Sequence, residues 1–99
     1  MKLVTLAEAK DRLSIDFDTK DNEITIMTNA IESYLLFATG LDAESTIIAV
    51  DGVRQDICNL AKEYILLKLY LDYYGAHTDI DDQRLTQYMK QLQVLAHYE

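Results

Sequence analysis

Few side chains in this sequence could do chemistry, and their spacing does not favour it. The densest carboxylates lie between Asp16 and Glu23, where alternating acids resemble a calcium loop. An EF-hand needs an oxygen ligand at its fifth position and glycine at its sixth. Those two positions hold Lys20 and Asp21, so we expect a solvated, helix-capping loop and no metal site. A later group of acids receives the same interpretation: Asp79, Asp81 and Asp82.

The candidate nucleophiles and metal ligands are equally isolated. His77 and His97 lie twenty residues apart, with no cysteine or carboxylate at the spacing of a metal site. Cys58 is the single cysteine, lies in an apolar helical pattern typical of a core, and cannot form an internal disulfide. The sequence contains no glycine-rich phosphate loop. We therefore expect no catalytic residue, no metal and no cofactor, and predict that the protein is not an enzyme.

Composition and charge limit the partners. A chain of 99 residues fits one domain, spanning residues 1–99, and 49% apolar residues are too many for disorder. The net charge of −8, with lysines and arginines scattered, excludes DNA binding through a basic face and disfavours anionic lipid. The longest apolar run, residues 34–38, is far below the ~20 residues that span a bilayer. Glu8 comes too early for the apolar stretch of a signal peptide, so we expect none.

The start of the chain predicts a short helix followed by a connection. Thr5 and Glu8 have capping-box spacing, which predicts a helix over Leu6–Leu13. Residues 14–20 then form a connection, after which Asp18 or Asp21 can cap a second helix.

The second helix has one apolar face. Its apolar residues recur at helical spacing: Ile24, Met27, Ile31, Leu35 and Ala38. Gly40 suits the left-handed position that ends such a helix. In residues 41–50 a short strand, an extended loop and a helical turn all remain open, because periodicity cannot decide over so short a stretch.

The long third helix is the main evidence for an interface. Asp51 is a plausible cap, and the helix runs to about Tyr74, where Gly75 ends it. Its apolar residues surround almost the whole circumference, and the other helices of a small domain can cover about two sides. The remainder predicts a protein interface made of these residues: Leu66, Leu69, Tyr70, Tyr73 and Tyr74. For Tyr34 and Tyr64 we expect packing at the edge of the core.

A fourth helix completes the prediction of an all-α bundle of about four helices with one long central helix. It covers about residues 83–96, with Asp81 or Asp82 as its cap. Proline is absent and glycine occurs three times, a composition that favours helices over a turn-rich β-sandwich.

Four stretches carry a resemblance to a known family. They are a first helix with Leu6, Ala9, Lys10 and Leu13; an acidic loop with Asp16, Asp18 and Asp21; a second helix with Ile24, Ile31, Tyr34 and Gly40; and a long third helix with Leu66, Leu67, Leu69 and Tyr70. Gln91 and Leu92 match the start of a C-terminal Gln-Leu-Arg-Gly motif. Gln93 and Val94 replace its Arg-Gly, and residues 72–75 lack the basic residue often found after the third helix's aromatic.

This pattern resembles the head–tail connector (adaptor) proteins of tailed phages, a group described as putative DNA-packaging proteins. The resemblance implies a structural viral protein that forms a homo-oligomeric ring beneath the portal protein at the head–tail junction of the virion, after assembly in the host cytoplasm. The ring would complete the head, extend the DNA channel and dock a tail-completion or stopper protein. DNA would pass through without sequence-specific binding, and no membrane would be involved.

A second function remains open from the residues alone. A small acidic helical protein can act as an adaptor or inhibitor that mimics nucleic-acid charge and binds a basic host protein. Such a protein would form a tight one-to-one complex, whereas a connector would form a ring. Neighbouring genes for portal, terminase and capsid proteins would favour the connector.

Overall fold

The computed structural model describes residues 3–41, 52–75 and 77–96, and over these ranges the chain is an all-α bundle, as predicted. The described ranges contain four helices: α1, Leu6–Leu13; α2, Asp21–Thr39; α3, Gly52–Tyr74; and α4, Asp79–Ala96. The predicted Asp51 cap and the open prediction for residues 42–50 lie outside the described residues.

Helix α1 begins as its capping box predicts. The Thr5 hydroxyl accepts a hydrogen bond from the Glu8 backbone N–H at 3.1 Å, and the Glu8 carboxylate accepts one from the Thr5 N–H at 3.0 Å. The hydrogen bond from the Thr5 backbone lowers the pKa of Glu8, because it stabilises the charged carboxylate. Both orphan donors at the start of the helix are thereby satisfied.

Helix α2 starts without the predicted side-chain cap. Lys20 holds the N-cap position and makes no capping hydrogen bond from its side chain, and Asp21 is already the first helical residue. The carboxylates of Asp18 and Asp21 instead contact the Lys10 ammonium of α1, at 3.0 and 2.9 Å. The prediction that one of them caps the helix was wrong, because a charge from another element competes for the same oxygens. Gly40 ends the helix at φ 73°, as predicted.

Helices α3 and α4 meet at a tight connection. Gly75 has φ 61° and follows the last residue of α3, in agreement with its predicted role. Helix α4 begins at Asp79, earlier than predicted, and its cap is Thr78, whose hydroxyl accepts from the Asp81 N–H at 3.1 Å. Asp81 returns the contact by accepting from the Thr78 hydroxyl at 2.9 Å, so the prediction of Asp81 or Asp82 as the cap was wrong.

The core lies around α3, which packs against each of the other three described helices. The inward side of α2 is the predicted one, with Ile24, Ile31 and Leu35 all buried. Helix α1 is joined to α3 by an ion pair with two hydrogen bonds, in which the Arg12 guanidinium meets the Glu63 carboxylate at 3.0 and 3.1 Å. These contacts decide which apolar surface remains available to a partner.

Candidate interaction surface

The predicted interface on α3 is largely inside the protomer. Leu69 is 0% exposed and Leu66 is 8% exposed, so neither can reach a partner without unfolding the bundle. The prediction for these two leucines was wrong, because a helix at the centre of the bundle is covered by α1, α2 and α4 together rather than on two sides.

The three tyrosines at the end of α3 form one aromatic cluster. The Tyr74 ring lies 5.1 Å from that of Tyr70 and 5.0 Å from that of Tyr73, the second pair edge to face. The Tyr74 hydroxyl donates a hydrogen bond to the Leu13 carbonyl at the end of α1. Tyr70 and Tyr74 remain exposed on one side, but the cluster already fastens α3 to α1.

Tyr64 and Tyr34, both expected at the edge of the core, differ in their burial. Tyr64 is buried, in agreement with its predicted place in the core, and burial raises the pKa of its hydroxyl. Tyr34, expected at the core edge, is well exposed on α2, so that prediction was wrong.

Three of the exposed large apolar side chains lie on α2, and one of them is more exposed than any other among the described residues. Ile26 is 60% exposed, Tyr34 61% and Phe37 90%. Positions 26, 30, 33 and 37 follow the i, i+4, i+7, i+11 spacing of one helix side, and Tyr34 lies beside them. We call this surface the α2 outer face: Ile26, Ala30, Ser33, Tyr34 and Phe37.

The α2 outer face carries no charge. Between Ile24 and Thr39 the only residue charged at neutral pH is Glu32, which is buried and accepts a hydrogen bond from the Leu3 backbone N–H at 2.8 Å. A solvent-facing side of a helix ordinarily carries charged residues. Their absence over this stretch was the signal in the sequence for an exposed apolar face, and the apolar count of α3 obscured it.

A shallow apolar recess lies between α3 and the C-terminal half of α4. We call it the α3–α4 recess, and its lining residues are Leu60, Lys90, Gln91, Val94 and Leu95. Val94 is 68% exposed at its edge. Leucine and valine side chains give the recess an apolar wall, and Lys90 provides its single cation.

The α3–α4 recess extends from the side of α4 that faces α2 to the opposite side. Lys90 lines both the recess and a second depression that includes Tyr34. The Gln93 amide donates to the Ala38 carbonyl at 3.3 Å, so this side of α4 meets α2. Gln91 precedes Gln93 by two residues, about 200° around the helix, and therefore looks away from α2.

Several titratable side chains form hydrogen bonds or ion pairs between neighbouring helices. The His77 ring lies between two carboxylates, with Nδ1 2.9 Å from Asp82 and Nε2 2.7 Å from Asp72. The hydrogen bond with Asp82, followed by that with Asp72, raises the pKa of His77. The sequence spacing concealed this arrangement, since the turn between α3 and α4 brings together residues five positions before and after the histidine.

Over the described ranges, no group of three histidine, cysteine or acidic side chains is arranged to hold a metal ion. The helices of these ranges are also too polar or too short to cross a membrane. Cys58 is buried beside the core, as its apolar surroundings in the sequence predicted.

No protein-family model matches this chain, and neither a curated protein nor a solved structure matches it. The resemblance to phage connectors therefore depends on the residues of the four stretches in the sequence, and the structure adds two exposed apolar surfaces.

Proposed function

We propose that this protein is a head–tail connector of a tailed phage or prophage, which assembles into a ring beneath the portal protein. The observation that carries the proposal is the pair of apolar surfaces on one small acidic protomer, the α2 outer face and the α3–α4 recess. Phe37 is 90% exposed, and an apolar face that includes so exposed an aromatic ring is typical of a surface that binds a partner.

Two different surfaces on one chain favour head-to-tail contact. When a surface on one copy meets a different surface on the next, repetition closes into a ring if the rotation between copies permits it. A connector between a portal and a tail requires that symmetry. The two surfaces are made by different helices, as such repetition requires.

The charge of the protomer agrees with a DNA channel. A net charge of −8 per copy surrounds passing DNA with a repulsive field, so that the duplex slides without adhering. In this role the acidic surface keeps DNA from binding to the channel wall.

The resemblance adds to this support. Two of its α1 residues, Ala9 and Leu13, lie in the core, and Gly40 ends α2 in the left-handed conformation. Lys10, the third motif residue of that helix, binds the acidic loop through Asp18 and Asp21, which gives those motif positions a common structural purpose.

The decisive experiment measures binding to the portal protein encoded in the same genome. Native mass spectrometry of the chain over a concentration series, with and without portal, should show a closed oligomer on its own or a ring bound to portal. A chain that stays monomeric at every concentration and ignores both portal and tail-completion proteins would contradict the connector function.

The high negative charge also favours a second candidate, an acidic inhibitor or adaptor that binds a basic host protein. It would form a one-to-one complex whose affinity falls steeply with salt. Native mass spectrometry of a pull-down from the host separates the two: a one-to-one complex with a basic protein supports the inhibitor, and a multimer of this chain supports the connector.

A further inference from the structure

We propose that the α2 outer face of one copy docks against the α3–α4 recess of the next, with the Phe37 ring entering the recess. This proposal rests on the proposed function, because the contact would be the subunit interface of the ring. A second copy of this chain would occupy each of the two surfaces.

The shapes and chemistry of the two surfaces are complementary. Phe37 is an apolar projection at 90% exposure, and the recess is an apolar depression walled by Leu60, Val94 and Leu95. In protein interfaces a few residues that fill well-packed pockets, often aromatic ones, carry most of the binding free energy. Among the described residues, the recess therefore offers Phe37 a site of matching chemistry on the same kind of molecule.

Electrostatics select this pair of surfaces from the rest of the molecule. Two copies that each carry −8 repel one another wherever acids face acids. The α2 outer face has no charged residue, so it can approach another copy without that cost. On the recess side, Lys90 lies at the lining, where its ammonium can contact the face of an entering aromatic ring.

The contact can repeat head-to-tail, because its two halves are different surfaces of the protomer. Gln93 faces α2 of its own copy, and Gln91 in the recess faces the other way. A two-fold contact between two α2 helices would leave both recesses empty. Successive head-to-tail contacts instead use each face and each recess once per protomer.

The size of the contact predicts its strength. Helix α2 has 19 residues. At ~1.5 Å per residue and ~10 Å width its outer side projects roughly 280 Å². A stable interface buries about 800 Å² per partner. A single pair of copies should therefore associate weakly, and ring closure at high protein concentration should be needed to populate the assembly.

The first test compares exposed apolar residues in and out of the contact. Phe37→Ser and Val94→Ser each remove one half, and Ile80→Ser is the matched control, because Ile80 is 67% exposed and belongs to neither surface. Sedimentation velocity over a concentration series should show assembly of the wild type and Ile80→Ser at the same concentration. Phe37→Ser and Val94→Ser should need at least ~10-fold more protein. Unchanged thermal melts by circular dichroism show that each monomer is folded.

The second test fixes the direction of the contact. In a Cys58→Ala background, Ser33→Cys places a thiol on the α2 outer face and Gln91→Cys places one at the recess, with Phe37 and Val94 left intact. Oxidation of a mixture of the two variants should give a cross-linked dimer, and each variant alone should not.

The outcomes separate the contact from the function. Assembly of Phe37→Ser at the wild-type concentration, or cross-linking of Ser33→Cys with itself, would overturn the head-to-tail contact while a ring on the portal still supports a connector. Assembly that depends on Phe37 and Val94, in a chain that never binds portal, would support the contact and reject the connector.

Discussion

Helix α3 and helix α2 differ in a way that reverses the expectation from their composition. Helix α3 is the more apolar of the two around its circumference, yet Leu66 and Leu69 are buried in the protomer. Helix α2 has one predicted apolar side, and that side is buried as expected, but its opposite side exposes Ile26, Tyr34 and Phe37.

The difference shows that coverage depends on a helix's place in the bundle. The three helices that contact α3 cover it from several sides, so even a broad apolar circumference is sheltered. Helix α2 also contacts three helices, but its buried residues lie along one side, so apolar residues on its other side meet solvent. The absence of charged residues on the solvent side of a helix indicates an exposed apolar face. The total number of apolar residues in the helix does not.

Ion pairs and hydrogen bonds hold helices α1 and α4 against α3. Arg12 joins α1 to Glu63 of α3, and His77 links Asp72 at the end of α3 with Asp82 at the start of α4. The Tyr74 hydroxyl holds the Leu13 carbonyl. In contrast, the α2 outer face takes part in none of these contacts.

The largest expected effect compares one leucine of α3 with one phenylalanine of α2. Leu69→Ala should lower the free energy of unfolding by about 3 kcal/mol, because it opens a cavity in a fully packed core. Phe37→Ala should change it by no more than about 0.5 kcal/mol, because the ring is already in water. Urea denaturation followed by circular dichroism, at protein concentrations below assembly, measures both. Equal losses would mean that the two helices do not differ as described.

A smaller effect is expected at the Arg12–Glu63 ion pair between α1 and α3. A double-mutant cycle with Arg12→Ala and Glu63→Ala should give a coupling of about 0.5 kcal/mol, since both side chains are partly in solvent. The coupling should fall at ~1 M salt, where screening is strong. Lys20 and Glu23, an exposed ion pair within the start of α2, provide the control cycle, and its coupling should be smaller still. A coupling no larger than that of the control would show that this pair does not hold α1 in place.

The smallest effect concerns His77 and has a defined sign. Because the pKa of His77 is raised in the folded protein, the protonated ring stabilises the fold below its unfolded pKa of about 6.5. That contribution is lost as pH rises through the higher native pKa. The difference in unfolding free energy between wild type and His77→Gln should therefore be largest below about pH 6.5 and shrink as the pH rises above it.

An NMR titration provides the matching control for this prediction. The chain has two histidines, so the signal that disappears in His77→Gln assigns the ring, and His97 serves as the internal reference. A stability difference that stays constant, or grows with pH, would contradict a protonated His77 between Asp72 and Asp82.

Local signals in the sequence predicted local structure well. The capping box of Thr5 and Glu8, and the glycines at positions 40 and 75, mark helix ends that the structure confirms. These signals depend on residues within a few positions of one another, so no tertiary information is needed to interpret them. The predicted caps of α2 failed because Lys10, eight or more residues away, takes the carboxylates.

What the sequence determined by itself was an all-helical, acidic chain with helix ends at defined residues, because period, capping and charge are properties of short segments. Only the tertiary structure decided which apolar side chains remain outside. Burial depends on where the neighbours of a helix lie. Helices α2 and α3 each contact the three other described helices, but the buried residues of α2 lie along one side, whereas those of α3 spread over more than half of its circumference. The candidate interface moved from Leu66 and Leu69 to Phe37 for that reason.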